Sequence, residues 1–201
     1  RGCLAIDGSP VVPSTSQNSP WNLPNAITVA RILAVPFFVW SLVAIADTES
    51  PMRWLSVLIF IVIMASDGID GAIARKRGLI TNFGKILDPI ADKALLGGAL
   101  ITLSVLGEIA WWVTVVILVR ELGITVYRLV VIKKRVIAAS GGGKLKTIVQ
   151  AIMVGFVVSP LTAWFPGDAY EAFELALVNI ATILTIYSGL QYLIAAAKAK
   201  R

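Results

Sequence analysis

Histidine is absent from the 201 residues, and cysteine occurs once, as Cys3. The first absence removes the commonest general base at neutral pH. Together the two leave no ligand set for a zinc site of the Cys/His kind and no disulfide framework. Any catalysis must therefore rest on carboxylates, lysine, tyrosine or a hard metal ion held by oxygen. Charge is scarce as well: 15% of residues are charged, 57% are hydrophobic, and the mean hydropathy is +0.83. Soluble domains are about 45–50% apolar, so the composition points to a membrane protein. A span takes about 20 apolar residues, which leaves room in this length for roughly six. The formal charge of +6 and pI near 9.7 fit basic loops facing anionic lipid, and nucleic acid is not an expected partner.

Residues 1–20, "RGCLAIDGSPVVPSTSQNSP", are rich in Ser and Pro and without periodicity. They are expected to form a flexible tail. They lack the basic start and apolar core of a signal peptide, and the absence of an initiator Met allows part of them to be an expression remnant. The membrane domain is expected over residues 21–201.

Six apolar segments follow, at about 25–46, 52–75, 87–106, 109–132, 146–165 and 173–196. The first, third and fifth connections carry Asp47, Glu49, Arg53, Glu108, Asp168 and Glu171. The second and fourth carry Arg75, Lys76, Arg77, Lys85, Lys133, Lys134, Arg135, Lys144 and Lys146, and the chain closes on Lys198, Lys200 and Arg201. Basic residues favour the cytoplasmic side, so the expected fold is an all-α bundle of six transmembrane helices with both termini cytoplasmic. Trp111, Trp112, Trp164 and Phe165 fall where an outer aromatic belt would lie.

The second connection lies within "SDGIDGAIARKRGLITNFGKILDPIADK", residues 66–93. Asp67, Asp70 and Ala74 fall at i, i+3 and i+7, on one helical face. Asp88 and Asp92 fall at i and i+4 on the next helix. Pro89 suits a first helical turn, which would make Asp88 a cap. The two acidic pairs are expected to face each other across an antiparallel helix hairpin. Four carboxylates this close cannot all remain ionised without counter-charge. Two divalent cations, magnesium or manganese, would supply it and would support in-line displacement at phosphorus. Singly, each aspartate also fits an interfacial cap or a partner for a lysine such as Lys93. Collectively, a proton or ion relay in a transporter is the rival reading.

The pattern D-x2-D-G-x2-A-R-x8-G-x3-D-x3-D, carried by Asp67, Asp70, Gly71, Ala74, Arg75, Gly84, Asp88 and Asp92, resembles the signature of the CDP-alcohol phosphotransferases at every spacing. The resemblance implies a six-helix membrane enzyme that moves a phosphatidyl group from a CDP-linked lipid to an alcohol and releases CMP. By the same resemblance Asp67, Asp70 and Asp88 bind metal, Asp92 completes the metal set and is the candidate base, and Gly71, Ala74, Arg75, Thr81 and Gly84 meet the CDP portion. Family members often form homodimers. "NLPNAITVARIL", "RELGITVYRLVV" and "GGGKLKTIVQ" further resemble the bacterial phosphatidylglycerophosphate synthase branch. That branch implies CDP-diacylglycerol as donor, sn-glycerol 3-phosphate as acceptor, and a bacterial inner-membrane location with the site facing the cytoplasm.

A phosphorylated acceptor agrees with the cations. Arg31 lies one turn after Thr28 near the start of the first segment, and Arg120 sits mid-segment, where an unpaired arginine costs several kcal/mol. Glu121 follows it but projects about 100° away on a helix and is expected to be an imperfect partner. Thr28, Arg31, Arg120, Arg128, Lys144 and Lys146 are the candidate acceptor-phosphate ligands. Lys133, Lys134 and Arg135 read as a solvated basic run. Acceptors of the inositol phosphate, phosphatidylglycerol or serine type are the alternatives within the family.

Overall fold

The computed structural model of the chain describes residues 23–77, 82–131, 142–165 and 167–198; the side chains at 69–77, 82, 83, 85, 86, 128–131, 142–144 and 198 lie outside the description. Its helices are α1 (Leu23–Ala44), α2 (Arg53–Arg77), α3 (Asn82–Val105), α4 (Trp111–Val131), α5 (Gly142–Val158) and α6 (Asp168–Lys198), with one 3-10 turn at Pro160–Ala163 and no strand among the described residues. Each expected apolar segment coincides with one helix. The third, fifth and sixth helices start several residues earlier than expected, at Asn82, Gly142 and Asp168, and the fifth also ends earlier. Residues preceding a proline are driven out of the helical region, and Ser159, at φ −77° and ψ 143°, is extended before Pro160. The fifth helix therefore stops at Val158, and the chain continues as the 3-10 turn. The third helix starts at Asn82, so Asp88 and Pro89 lie inside α3 and Asp88 is not its cap. Pro89 has no N–H to offer the carbonyl four residues earlier, which loosens α3 in the segment that carries the acids.

Packing centres on α1. It lies closely along both α2 and α3, while α2 and α3 touch each other only sparingly. The two arms of the acidic stretch are thus held against a shared third helix rather than across a simple hairpin. Gly98 permits the close α1–α3 crossing: a Cβ there would lie 3.2 Å from a Val39 methyl and 3.3 Å from one of Val35. Phe38 of α1 and Phe60 of α2, rings 5.7 Å apart, fill the core below.

The distribution of side chains is inverted relative to a water-soluble domain. Leu33, Phe37 and Trp40 of α1, Val115 and Val119 of α4, and Ile183 and Leu193 of α6 are exposed, whereas Arg31, Arg53, Glu121 and Lys146 are buried. An apolar surface this extensive needs lipid as its solvent. Leu23–Ala44 and Asp168–Ala197 contain windows of mean hydropathy 2.0 and 1.6, and only 28% and 33% of those windows is buried, so neither helix is a soluble core element. Both are long enough to cross a bilayer, and the protein associates with membrane.

The connections at one end of the bundle are tied to one another. Arg53 Nη2 lies 2.5 Å from Glu108 Oε2, joining the start of α2 to the α3–α4 turn, and Thr162 donates to the Thr48 carbonyl at 3.5 Å.

Candidate active site

At the other end of the bundle, α1 supplies the residues that hold the aspartates. Because α2 is unbroken through residue 77, Asp67 and Asp70 share one of its faces; because α3 is unbroken from residue 82, Asp88 and Asp92 do the same. Arg31 and Thr28 stand one turn apart on α1. Arg31 Nη1 lies 2.5 Å from Asp67 Oδ1, and the Thr28 hydroxyl lies 2.9 Å from Asp88 Oδ1 and 3.1 Å from the Pro24 carbonyl. One helical turn of α1 therefore touches an acid from each of its two neighbours. The Arg31 side chain is 1% exposed and that of Asp67 is 51% exposed, so a buried cation orients a carboxylate that remains open to ligands.

The donor set fits hard cations, being carboxylate oxygen throughout. Among the described residues no three such groups gather at one point; the Asp70 side chain lies outside the description. Gly71, Ala74 and Arg75 follow Asp70 on α2 with their side chains outside the described set, as does the whole of Thr81. Gly84 is buried in the first turn of α3.

A second cluster centres on Glu121 of α4, whose side chain is 2% exposed. Its Oε1 accepts from Arg120 Nη1 at 2.9 Å and from Lys146 Nζ of α5; its Oε2 accepts from Lys93 Nζ of α3 at 2.7 Å. Lys93 also reaches Asp92 Oδ2 at 2.9 Å, and Arg120 Nη2 donates to Ser188 Oγ of α6 at 3.0 Å. Three helices thus meet on one carboxylate, and Arg120 ties in α6 as the fourth. Neighbouring Gln150 donates to Thr185 at 2.8 Å, closing α5 onto α6. Beyond Arg120, Gly123 and Gly189 open an apolar groove of about 440 Å³ between α4 and α6.

The sequence-expected ligands therefore divide. Arg120 and Lys146 converge, and the group they share is the Glu121 carboxylate. Thr28 and Arg31 stand instead with the aspartates. The side chains of Arg128 and Lys144 lie outside the description. Glu121 proves a close partner for Arg120 despite its angle on the helix, because the arginine side chain is long enough to turn back. Three members of the cluster were not among the expected ligands, Glu121, Lys93 and Ser188. The available signal was that Glu121 is the only acid in α4, and a lone carboxylate in an apolar helix needs a partner.

The chain matches the family model for CDP-alcohol phosphatidyltransferase over residues 21–188. It is similar to a protein of Mycobacterium tuberculosis (strain ATCC 25618 / H37Rv) named probable phosphatidylglycerophosphate synthase, at 46% identity over 171 residues, covering 85% of this chain and 79% of the relative. A CDP-diacylglycerol–glycerol-3-phosphate 3-phosphatidyltransferase of Bacillus subtilis (strain 168) is 37% identical over 182 residues, 86% of this chain and 93% of the relative. The protein of that name from Salmonella typhimurium (strain LT2) is 34% identical over 185 residues, with 88% and 95% covered.

Proposed function

The chain belongs to the CDP-alcohol phosphatidyltransferase family, and from that premise we propose that it transfers a phosphatidyl group from CDP-diacylglycerol to sn-glycerol 3-phosphate, giving phosphatidylglycerol phosphate and CMP. Relatives bearing that activity in their names support the acceptor. The observation that carries the reading is the convergence of Arg120 and Lys146 on Glu121, linked through Lys93 to Asp92. Cations gathered on a buried carboxylate and linked through Lys93 to the candidate base suit an acceptor that brings its own phosphate. A serine-type acceptor would give them no phosphate to bind.

In the reaction Asp92 accepts the proton of the acceptor's 1-hydroxyl. The resulting oxygen forms a bond to the β-phosphorus, and the bond from that phosphorus to the CMP oxygen breaks. Lys93, 2.9 Å from Asp92 Oδ2, holds the carboxylate in orientation. Arg120 and Lys146 fix the acceptor's phosphate so that its hydroxyl is presented to the phosphorus, which lowers the entropic part of the barrier. Arg75 neutralises the pyrophosphate. Magnesium or manganese ions held by Asp67, Asp70, Asp88 and Asp92 would supply positive charge to the pyrophosphate oxygens and to departing CMP. A single displacement inverts configuration at phosphorus; net retention would overturn it.

The test is CMP release by the purified protein with CDP-diacylglycerol, magnesium and a panel of acceptors. Glycerol 3-phosphate is expected to stimulate release strongly, serine and inositol phosphate not, and EDTA to abolish it. Failure of glycerol 3-phosphate to stimulate would defeat the acceptor assignment.

The same reading places all six helices across the inner membrane of a bacterium, residues 21–201 forming the membrane domain, with both termini and the aspartates on the cytoplasmic side. Loop basicity supports it, as does the linking of the acidic connections at one end of the bundle. In a Cys3→Ser background, Glu49→Cys should react with an impermeant maleimide on intact cells, and Ala197→Cys only after permeabilisation. The reverse pattern would invert the topology.

A further inference from the structure

We propose that Glu121 is a positioning residue for the acceptor phosphate, holding Arg120 and Lys146 together as a two-pronged receptor and releasing them to the phosphate when it binds. Glu121 can play this part only if the acceptor carries a phosphate, as proposed above.

Geometry is the first support. Arg120 Nη1 and Lys146 Nζ both reach the same atom, Glu121 Oε1. Their nitrogens are therefore no more than two hydrogen-bond lengths apart, roughly 6 Å. That spacing suits two oxygens of one phosphate group. The two cations come from different helices, α4 and α5, and would repel each other without the intervening carboxylate. Ser188 fixes the far edge of the Arg120 guanidinium at 3.0 Å, so the fork is oriented as well as placed.

Charge is the second. Here Lys93, Arg120 and Lys146 all contact Glu121, and among the described residues the one other anion bonded to the group is Asp92, through Lys93. Among the described residues three positive charges stand against two negative, one anion short of balance. A phosphate monoester carries one to two negative charges and supplies what is missing. The Glu121 carboxylate then resembles a placeholder: it offers the cations the oxygen geometry that the ligand will offer, and it keeps a charged pocket folded within an apolar bundle.

The experiment compares the full-length protein with Glu121→Gln and Glu121→Asp in mixed micelles, titrating glycerol 3-phosphate and CDP-diacylglycerol separately. Glu121→Gln is expected to raise KM for glycerol 3-phosphate at least about tenfold, equivalent to about 1.4 kcal/mol. KM for CDP-diacylglycerol should stay within about twofold. Glu121→Asp keeps the charge but shortens the reach, and should fall between wild type and Gln in KM for glycerol 3-phosphate alone. A loss that falls equally on both substrates, or on kcat with both KM values unchanged, would reduce Glu121 to a structural ion-pair partner and overturn the proposal. Should Glu121→Gln not fold, the Asp variant decides: a wild-type KM for glycerol 3-phosphate overturns the role. If the wild-type protein itself releases no CMP with glycerol 3-phosphate, the acceptor reading has failed and the role of Glu121 falls with it, an outcome distinct from a defect confined to the variants.

Discussion

Asp67→Asn is expected to lower metal-dependent CMP release about a thousandfold or more while the protein stays folded. On the proposed reading the four carboxylates would hold divalent ions, and removing one anion would weaken the charge stabilisation those ions give the transition state. That stabilisation is worth several kcal/mol, and about 4 kcal/mol corresponds to three powers of ten in rate. The fold tolerates the change for a separate reason. Asp67 is half exposed, and the amide oxygen of Asn still accepts from buried Arg31. What is lost is the difference between a charge-assisted and a neutral hydrogen bond, about 1 kcal/mol before solvent screening reduces it. Activity and the thermal unfolding midpoint, measured on the same detergent preparation, separate the two effects. An unfolded variant would mean that Asp67 serves Arg31 and the bundle first. A folded variant with wild-type turnover would remove Asp67 from the catalytic set.

The helices were legible because a long apolar segment in a membrane protein has to satisfy its own backbone hydrogen bonds. The spacing of the four aspartates was legible because helical periodicity fixes which residues share a face. Tertiary partnership was not. Arg31 meets Asp67 across 36 residues and Thr28 meets Asp88 across 60, and no periodicity encodes that α1 would pack against both arms of the acidic stretch. The charge of Arg31 suggests an acceptor-phosphate ligand, and the structure adds a contact with Asp67 that the sequence does not announce. Glu121 was misjudged for a local reason. Adjacent helical residues diverge by about 100° at Cβ, but this rule describes where side chains start, and a guanidinium several bonds away can return. The start of α3 was misplaced because Pro89 beside Asp88 looks like a first turn, and the helix instead carries its proline internally.

Arg53→Met is expected to cost about 3–5 kcal/mol of stability, because breaking a buried ion pair leaves one charge without compensation. The pair lies away from the aspartates. Gly107, at φ +81° in the left-handed region that suits glycine, ends α3. The Glu108 N–H bonds back to the Leu103 carbonyl at 2.9 Å and that of Gly107 to Ser104 at 3.2 Å, the paired closure that turns a chain sharply out of a helix. Glu108 is thereby delivered to Arg53, whose side chain is wholly buried, while its own is 11% exposed. Burial pushes the Glu108 carboxyl above the usual carboxylate range, and Arg53 pulls it back in part. The sign of the pH dependence follows. A carboxyl raised in the folded state holds its proton there more tightly than in the unfolded chain, so stability falls as pH rises through the folded value. Without Arg53 the burial effect remains, and the neighbouring Glu174 adds a like charge that Arg53 had also opposed. The loss in Arg53→Met should therefore be larger at pH 8 than below the ordinary carboxylate range, and Glu108→Gln added to it should recover most of the stability at pH 8. CMP release per folded molecule should be unchanged, since neither residue touches substrate. A midpoint within about 0.5 kcal/mol of wild type at pH 8 would show that water or a neighbouring group already compensates Glu108, and that this end of the bundle is held by its apolar packing alone.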